Sequence, residues 1–326
     1  LNKFASSDYM DNPNLRPKLV IVPSEPQEET YIFERMWPEL HSQWYFSSPA
    51  YVATDNNDRV YISDYGNNQI QVFTANGDLL SKWPITEYGD YELGSPRAIT
   101  VDQDGFVYVV AGDSNSVSSI LKLNPYPSGE IVDKIGSYAD FPGTCGFSNP
   151  CAIDVDNSGN FYVTDEVNQR IEKLAPDGSL ITTWGSLGSG PGQFNDPTGI
   201  AVDRQNNWVY VLDSRNLRTQ KFTTDGVYLT HWQSIDSATD YGGVGIAVDQ
   251  QGYVYVSNTV IDEINKFTDT GELEATFIDI AYGSYGIAID SGGYIYSADF
   301  HGKRVEKINP GGTQKMKWTS AETAKT

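Results

Sequence analysis

The stretch "GIAVDRQNNWVYVLDSRNLRTQKF", residues 199–222, decides the fold. An apolar run ends in Asp203, a polar turn follows, and a second apolar run ends in Asp213. A third run closes on Phe222. Short runs rich in β-branched and aromatic residues, bounded by turn residues, read as strands. The question is whether this is one hairpin in a mixed protein or one copy of a repeat. Laid against itself, the chain holds six copies, starting at Ser48, Ser95, Asn149, Asp196, Gly243 and Tyr285. The aspartate after the first run recurs as Asp55, Asp102, Asp156, Asp203, Asp249 and Asp290, with spacings of 47, 54, 47, 46 and 41 residues. A period of this length marks a solenoid, a propeller or an array.

Each copy reads as four strands. The first is almost continuously apolar (IAVD, AIDV, IAID), which predicts burial on both faces. The second alternates with aromatics (VYIS, FYVT, VYVL, VYVS). The third carries polar residues at its outward positions (IQVF, IEKL, TQKF, INKF). The fourth ends in Trp83, Trp184, Trp232, Phe277 or Trp318, with Ile135 as the exception, and these rings are expected between blades. Asn76-Gly77, Asp177-Gly178, Asp225-Gly226 and Thr270-Gly271 supply turns that tolerate positive φ. No stretch keeps a helical period. Four-stranded units repeated in a ring predict an all-β, six-bladed β-propeller of antiparallel blades.

The domain reading follows. Residues 1–29, containing Pro and Ser, form an N-terminal extension or arm; residues 30–318 form the propeller; 319–326 are a C-terminal tail. "YIFERMWPELHSQWYFSSP" from Tyr31 aligns with "LITTWGSLGSGPGQFNDP", so it reads as the tail of a preceding repeat. On this reading a strand near 30–37 closes the last blade, and 313–318 is an extra edge strand or tail.

Composition narrows the function. The 326 residues carry 43 acidic and 22 basic side chains, a net charge of −21. Such a surface repels phosphate backbones and anionic membranes. No apolar run approaches the roughly 20 residues of a membrane span. The chain starts at Leu1 rather than Met, which fits a processed form with an export signal removed. The two cysteines, Cys145 and Cys151, are expected to close a small disulfide ring, which argues for an oxidising compartment; two buried thiols are the alternative. Together these features predict an extracellular, cell-surface or periplasmic setting.

The pattern P-x-G-I-A-V-D, then V-Y-V-x-D, N-x-R-I, a turn Gly and a closing W-G resembles the NHL repeat, from about Tyr31 to Trp318. The second copy departs, with "AGDSNSVSSI" in place of the D-x-x-N-x-R segment, and the fifth, "NTVIDEI", has no Arg. The resemblance implies a six-bladed propeller but no single function. NHL propellers include RNA-binding platforms, extracellular sensors, amidating lyases and relatives of lactone hydrolases. The lyases carry zinc on histidines just after the proline that opens the inner strand. Here those places hold Ala50, Arg97, Cys151, Thr198, Val244 and Tyr285, and His41, His231 and His301 are scattered elsewhere.

The remaining carboxylates have structural readings. Asp165 with Arg170, Asp213 with Arg218, and Asp299 with Arg304 are expected to pair across the turn between strands two and three. Asp102, Asp156, Asp203, Asp249 and Asp290 are expected to hold backbone amides of the next turn. No carboxylate pair is left at a spacing suited to hydrolysis. The ligand-binding candidates lie on the least repetitive loops: Tyr88, Tyr91, Arg97, Tyr138, Tyr241, Tyr282, Tyr285 and His301. Glu87, Asp90, Glu92, Asp140 and Asp240 stand beside them, a set that could hold cations, calcium included. Tyrosines offer contact area at low entropic cost, which suits a protein, peptide or glycan. The leading expectation is a non-catalytic binding propeller, without a cofactor. The alternatives are a metal-dependent lyase or hydrolase with its site at the axial channel, and a subunit of a larger assembly docked through the arm.

Overall fold

The structure is a computed structural model. It describes residues 45–89, 91–113, 118–135, 152–235, 245–258, 262–278, 284–313 and 315–319. Residues 46–319 form one compact unit. It is an all-β, six-bladed propeller with four antiparallel strands per blade. No helix among the described residues is long and apolar enough to cross a membrane.

Blade 1 contains β1 (Pro49–Thr54), β2 (Val60–Asp64), β3 (Gln69–Phe73) and β4 (Leu79–Pro84). Blade 2 opens with a small hairpin, β5 (Glu87–Tyr88) and β6 (Tyr91–Gly94). It continues with β7 (Ile99–Val101), β8 (Val107–Asp113), β9 (Ser118–Leu123) and β10 (Ile131–Ile135). Blade 3 has β11 (Ile153–Val155), β12 (Phe161–Asp165), β13 (Arg170–Leu174) and β14 (Leu180–Trp184). Blade 4 has β15 (Pro197–Asp203), β16 (Trp208–Asp213), β17 (Arg218–Thr223) and β18 (Tyr228–Gln233). Blade 5 has β19 (Ile246–Val248), β20 (Val254–Asn258), β21 (Glu263–Phe267) and β22 (Leu273–Phe277). Blade 6 has β23 (Ser284–Ile289), β24 (Ile295–Asp299), β25 (Arg304–Ile308) and β26 (Lys315–Thr319).

In blades 1, 3, 5 and 6 the most completely buried strand is the second, not the first. β2, β12, β20 and β24 are buried at every position. A second strand has a sheet neighbour on each side and a blade on each face. The first strand borders the axial channel, so β1, β11 and β19 keep half-buried positions.

Each first turn is fastened by the repeat aspartate. Asp156 Oδ1 accepts from the Ser158 and Asn160 amides, and its Oδ2 accepts from the Tyr162 hydroxyl. Asp55 with Tyr61, Asp102 with Tyr108, Asp249 with Tyr255 and Asp290 with Tyr296 repeat the arrangement. Asp203 holds the Gln205 and Asn206 amides, but one extra residue in its turn displaces the tyrosine. The Tyr210 hydroxyl is buried without a partner.

Blades are joined by their outer aromatics. Trp83 packs on Gly129 of blade 2, Trp184 on Gly226 of blade 4, Trp232 on Gly271 of blade 5, and Phe277 on Gly312 of blade 6. A Cβ on Gly271 would stand 2.5 Å from the Trp232 ring, and the glycine sits at φ +91°. These turn glycines thus answer two demands, a left-handed backbone and a neighbour's indole. The lysine of the third strand reaches the same turn of the next blade: Lys173 Nζ donates to the Thr224 carbonyl and Lys221 Nζ to that of Asp269.

The ring closes by these same contacts. Trp318 packs on Gly77 and Phe73 of blade 1, and Lys307 Nζ donates to the Ala75 carbonyl at 2.7 Å. Thr54 donates to the Ile289 carbonyl, and Ser291 donates twice to Asp58. This corrects the expectation of an N-terminal closing strand. The fourth place of blade 6 belongs to β26, with Val305 opposite Trp318. The physical reason is local: the Gly311-Gly312 turn folds the chain straight back, and a short hairpin closes at little entropic cost. The segment 30–37 itself lies outside the described residues, as do the arm 1–29 and the tail 320–326.

Candidate functional site

Two places bring unlike side chains together, one at each end of the propeller axis. At the loop end, the turns between second and third strands meet the starts of the first strands. The Tyr65 ring lies 6.1 Å from Phe300, and Phe300 lies 5.1 Å from Tyr285 and 5.4 Å from His301. The Arg97 guanidinium stands 5.7 Å from the Tyr65 ring, within reach of a cation–π contact. Arg97 is 8% exposed, whereas His301 is exposed and Tyr285 half-buried. Blades 1, 2 and 6 therefore build one aromatic mouth.

Below it, Tyr51 packs against the cores shared by blades 1 and 2, 2 and 3, and 3 and 4. Its ring thus lies across the axis, between the mouth and the channel. Burial pushes its phenol above the ordinary value; Arg97 pulls the other way, and Glu166 and Tyr285 add to the rise. Tyr51 stays a neutral hydrogen-bonding group over the ordinary pH range.

The loop-end carboxylates hold the scaffold of this face. Arg170 reaches Asp165 at 3.0 Å, Arg218 reaches Asp213 at 2.8 Å, and Arg304 reaches Asp299 at 3.0 Å. Asp213 also accepts from the Asn195 amide, Asn216 and Gln220. Burial is the main influence on Asp299 and raises its carboxyl above the usual range, with the Gly302 amide and Arg304 opposing. In blade 1, Asp64 takes the Ser47 and Ser48 amides and the amide groups of Asn67 and Gln71.

Of the rim residues read from sequence, Arg97, Tyr285 and His301 converge at the mouth. Tyr88 does not: it sits on the hairpin beside blade 2, with its hydroxyl 3.4 Å from the Val132 carbonyl. Tyr91 pairs with Tyr88 across that hairpin. Tyr138, Tyr241 and Tyr282 lie outside the described residues, and so do Cys145 and Cys151. Sequence reading missed Tyr51, Tyr65, Phe300 and Glu166. The signal for the last three was position: each directly follows the aspartate that ends a second strand, so each must face this end.

At the turn end the axis holds a cavity of about 460 Å³, lined by the innermost strands and their turns. Asp154 of β11 stands on its wall, at the position where four blades carry Ala53, Ala201, Ala247 and Ala288. It accepts from Thr100, from the Val155 and Val202 amides, and from Arg204. Sequence reading missed this pair too, although an acid among alanines was its mark. Among the described residues, no three His, Cys, Asp or Glu side chains are grouped as a metal set.

Residues 46–73 match the NHL repeat family, and residues 143–283 match a family described as a 6-bladed beta-propeller. The chain is a six-bladed propeller that carries a match to the NHL repeat. Among curated proteins it is similar to NHL repeat-containing protein 3 of Homo sapiens, 28% identical over 62% of this chain and 60% of that protein. The mouse protein of the same name is 29% identical over 53% of this chain and 51% of its own length. The chain thus spans little more than half the length of these relatives. Among solved structures, virginiamycin B lyase from Staphylococcus aureus aligns with a TM-score of 0.55 at 16% identity, covering 83% of this chain and 84% of that one. A gluconolactonase from Xanthomonas campestris gives 0.54 at 14% identity, covering 78% and 84%. At such identity the likeness is one of fold.

Proposed function

We propose that this protein is an exported, non-catalytic binding propeller that engages a protein, peptide or glycan at its loop-end mouth. The observation that carries this reading is the convergence of Tyr65, Tyr285, Phe300 and His301 beside Arg97. Aromatic faces and a guanidinium supply contact area and orientation without any bond being broken. The repeat carboxylates are committed to turns and arginines, which leaves them poorly placed as acids or bases. The reading needs no cofactor; calcium on the rim acids is the one ion it admits. The net charge of −21 disfavours nucleic acid as the partner.

The test is selection from a peptide display library and a glycan array on the whole chain. Ligands should be lost in the Tyr285→Ala/Phe300→Ala double variant at unchanged thermal stability. No ligand from either source, or ligands that the double variant keeps, would overturn the reading.

A metal-dependent lyase or hydrolase is the second reading. It draws on the enzymes that share the fold and on Asp154 in the channel. Four hydrogen bonds already fill that carboxylate, which counts against it as a ligand. A stoichiometric metal in the purified protein, lost in Asp154→Ala, would favour this reading.

A further inference from the structure

We infer that the turn-end cavity of the axial channel is a second binding site, for a small neutral polyhydroxylated molecule of about monosaccharide size. Its volume of about 460 Å³ falls within the range of small-molecule pockets. Tyr51 separates it from the aromatic mouth, so the two sites are distinct.

The walls are unequal, and the inequality breaks the symmetry of the repeat. Blades 2, 3 and 4 contribute the linked polar groups Thr100, Asp154 and Arg204. Deep in the cavity, blades 1, 5 and 6 present Ala53, Ala247 and Ala288 where Thr100 and Asp154 stand, and the polar groups of these blades lie towards the lip. A ring of sugar size has this same division, with hydroxyls on its edge and C–H groups on its face.

The polar groups are fixed yet not exhausted. Arg204 Nε donates to the Val155 carbonyl at 2.8 Å, and Nη2 donates to Asp154 and Thr100. Nη1 has no partner among the described residues, so two donors remain on a guanidinium already locked in place. At the lip, side chains are tied from blade to blade. Asn56 donates to the Gln103 carbonyl at 3.2 Å, Gln103 donates to Asn157, and Asn157 donates to the Arg204 carbonyl at 2.7 Å. Those bonds use amide nitrogens and leave the amide oxygens of Asn56 and Gln103 as acceptors. Gln250 lines the cavity too, and its side-chain amide has no partner among the described residues. Hydroxyl groups, which donate and accept at once, match such a mixed set.

Charge selects the neutral class. Asp154 balances Arg204 at 3.0 Å, and the surface as a whole is strongly acidic, which disfavours an anion. Asp55, Asp203 and Asp249 also border the cavity, but turn amides and neighbouring side chains already occupy them, and with the saturated Asp154 oxygens this disfavours a cation.

The experiment is calorimetry and thermal shift on the whole chain with glucose, galactose, mannose and myo-inositol, with gluconate as the charged counterpart. At least one neutral probe should give saturable heat and raise Tm. Gln250→Ala, at an exposed lip residue, should weaken it several-fold. Arg204→Met should weaken it about tenfold. The Tyr285→Ala/Phe300→Ala variant should bind the same probe unchanged, which keeps this site apart from the mouth. The inference falls if no neutral probe binds at millimolar concentration, if gluconate binds better than glucose, or if Gln250→Ala and Arg204→Met leave the affinity unaltered.

Discussion

Blade 4 and blade 2 are the same repeat under different constraints. Blade 4 keeps the turn aspartate, though without its tyrosine, together with the loop-end pair and the outer indole: Asp203 holds the Gln205 amide, Asp213 holds Arg218, and Trp232 covers Gly271. Blade 2 keeps only the first, with Asp102 holding Asp104, Phe106 and Tyr108. Ala111 and Ser119 stand where the aspartate and arginine would be, and Ile135 replaces the outer aromatic. The blade compensates at the loop end, where β8 runs on past β7 and pairs with β6 through Leu93 and Gly94. The turn clamp is thus the shared requirement of the repeat, and the loop-end pair and outer indole are replaceable.

The largest test of this difference is Asp213→Ala. It strands Arg218, which is 8% exposed, and removes acceptors from Asn216, Gln220 and the Asn195 amide. The expected loss is about 3–5 kcal/mol in urea unfolding. Blade 2 has no such pair to lose.

Next in size is Gly271→Ala, which brings a Cβ against Trp232 at positive φ; about 2–4 kcal/mol should be lost. A smaller contrast separates two tyrosines. Tyr108→Phe removes a hydroxyl bonded to Asp102 at 2.9 Å and should cost about 1 kcal/mol. Tyr210→Phe removes an unpartnered hydroxyl and should be neutral or stabilising. Equal costs in the two variants would remove the distinction drawn between these turns.

The smallest effect is one the two blades share. Burial first, and a nearby aspartate second, raise both the Tyr108 and Tyr210 phenols above their usual value of 10.0. Their contribution to stability is complete below pH 10. It is lost as pH climbs beyond that, because the unfolded chain ionises first. Tyrosinate absorbance should therefore rise together with loss of the fold, and either Phe variant should flatten the alkaline limb of the stability curve slightly.

Much of this was legible in the sequence. Six aspartates at a near-constant spacing defined the blades, because the turn clamp is local and tolerates no other side chain well. The loop-end ion pairs were legible for the same reason, both partners lying on one hairpin. The mouth was only half legible: Arg97, Tyr285 and His301 were singled out, but Tyr65 and Phe300 were not. Their meeting depends on which blades adjoin across the ring, information that no single hairpin carries. The closing strand was misread because seven segments looked alike as outer strands, and only spatial pairing decides among them. Asp154 and Arg204 were hidden by an apolar strand pattern that one acid interrupts.

Among the described residues no strand is shared across the seam between blades 6 and 1, and the indole and lysine contacts there match those between blades 3 and 4 and between blades 4 and 5. The order in which the six sheets are strung is thus a matter of connectors alone. A circular permutant should follow from this. Its new termini would fall in the connector between Trp184 and Pro197, and the old ends would be joined by a linker of that connector's length from Thr319 to Pro49. Each sheet would stay whole, and the rearranged chain should reach the same ring.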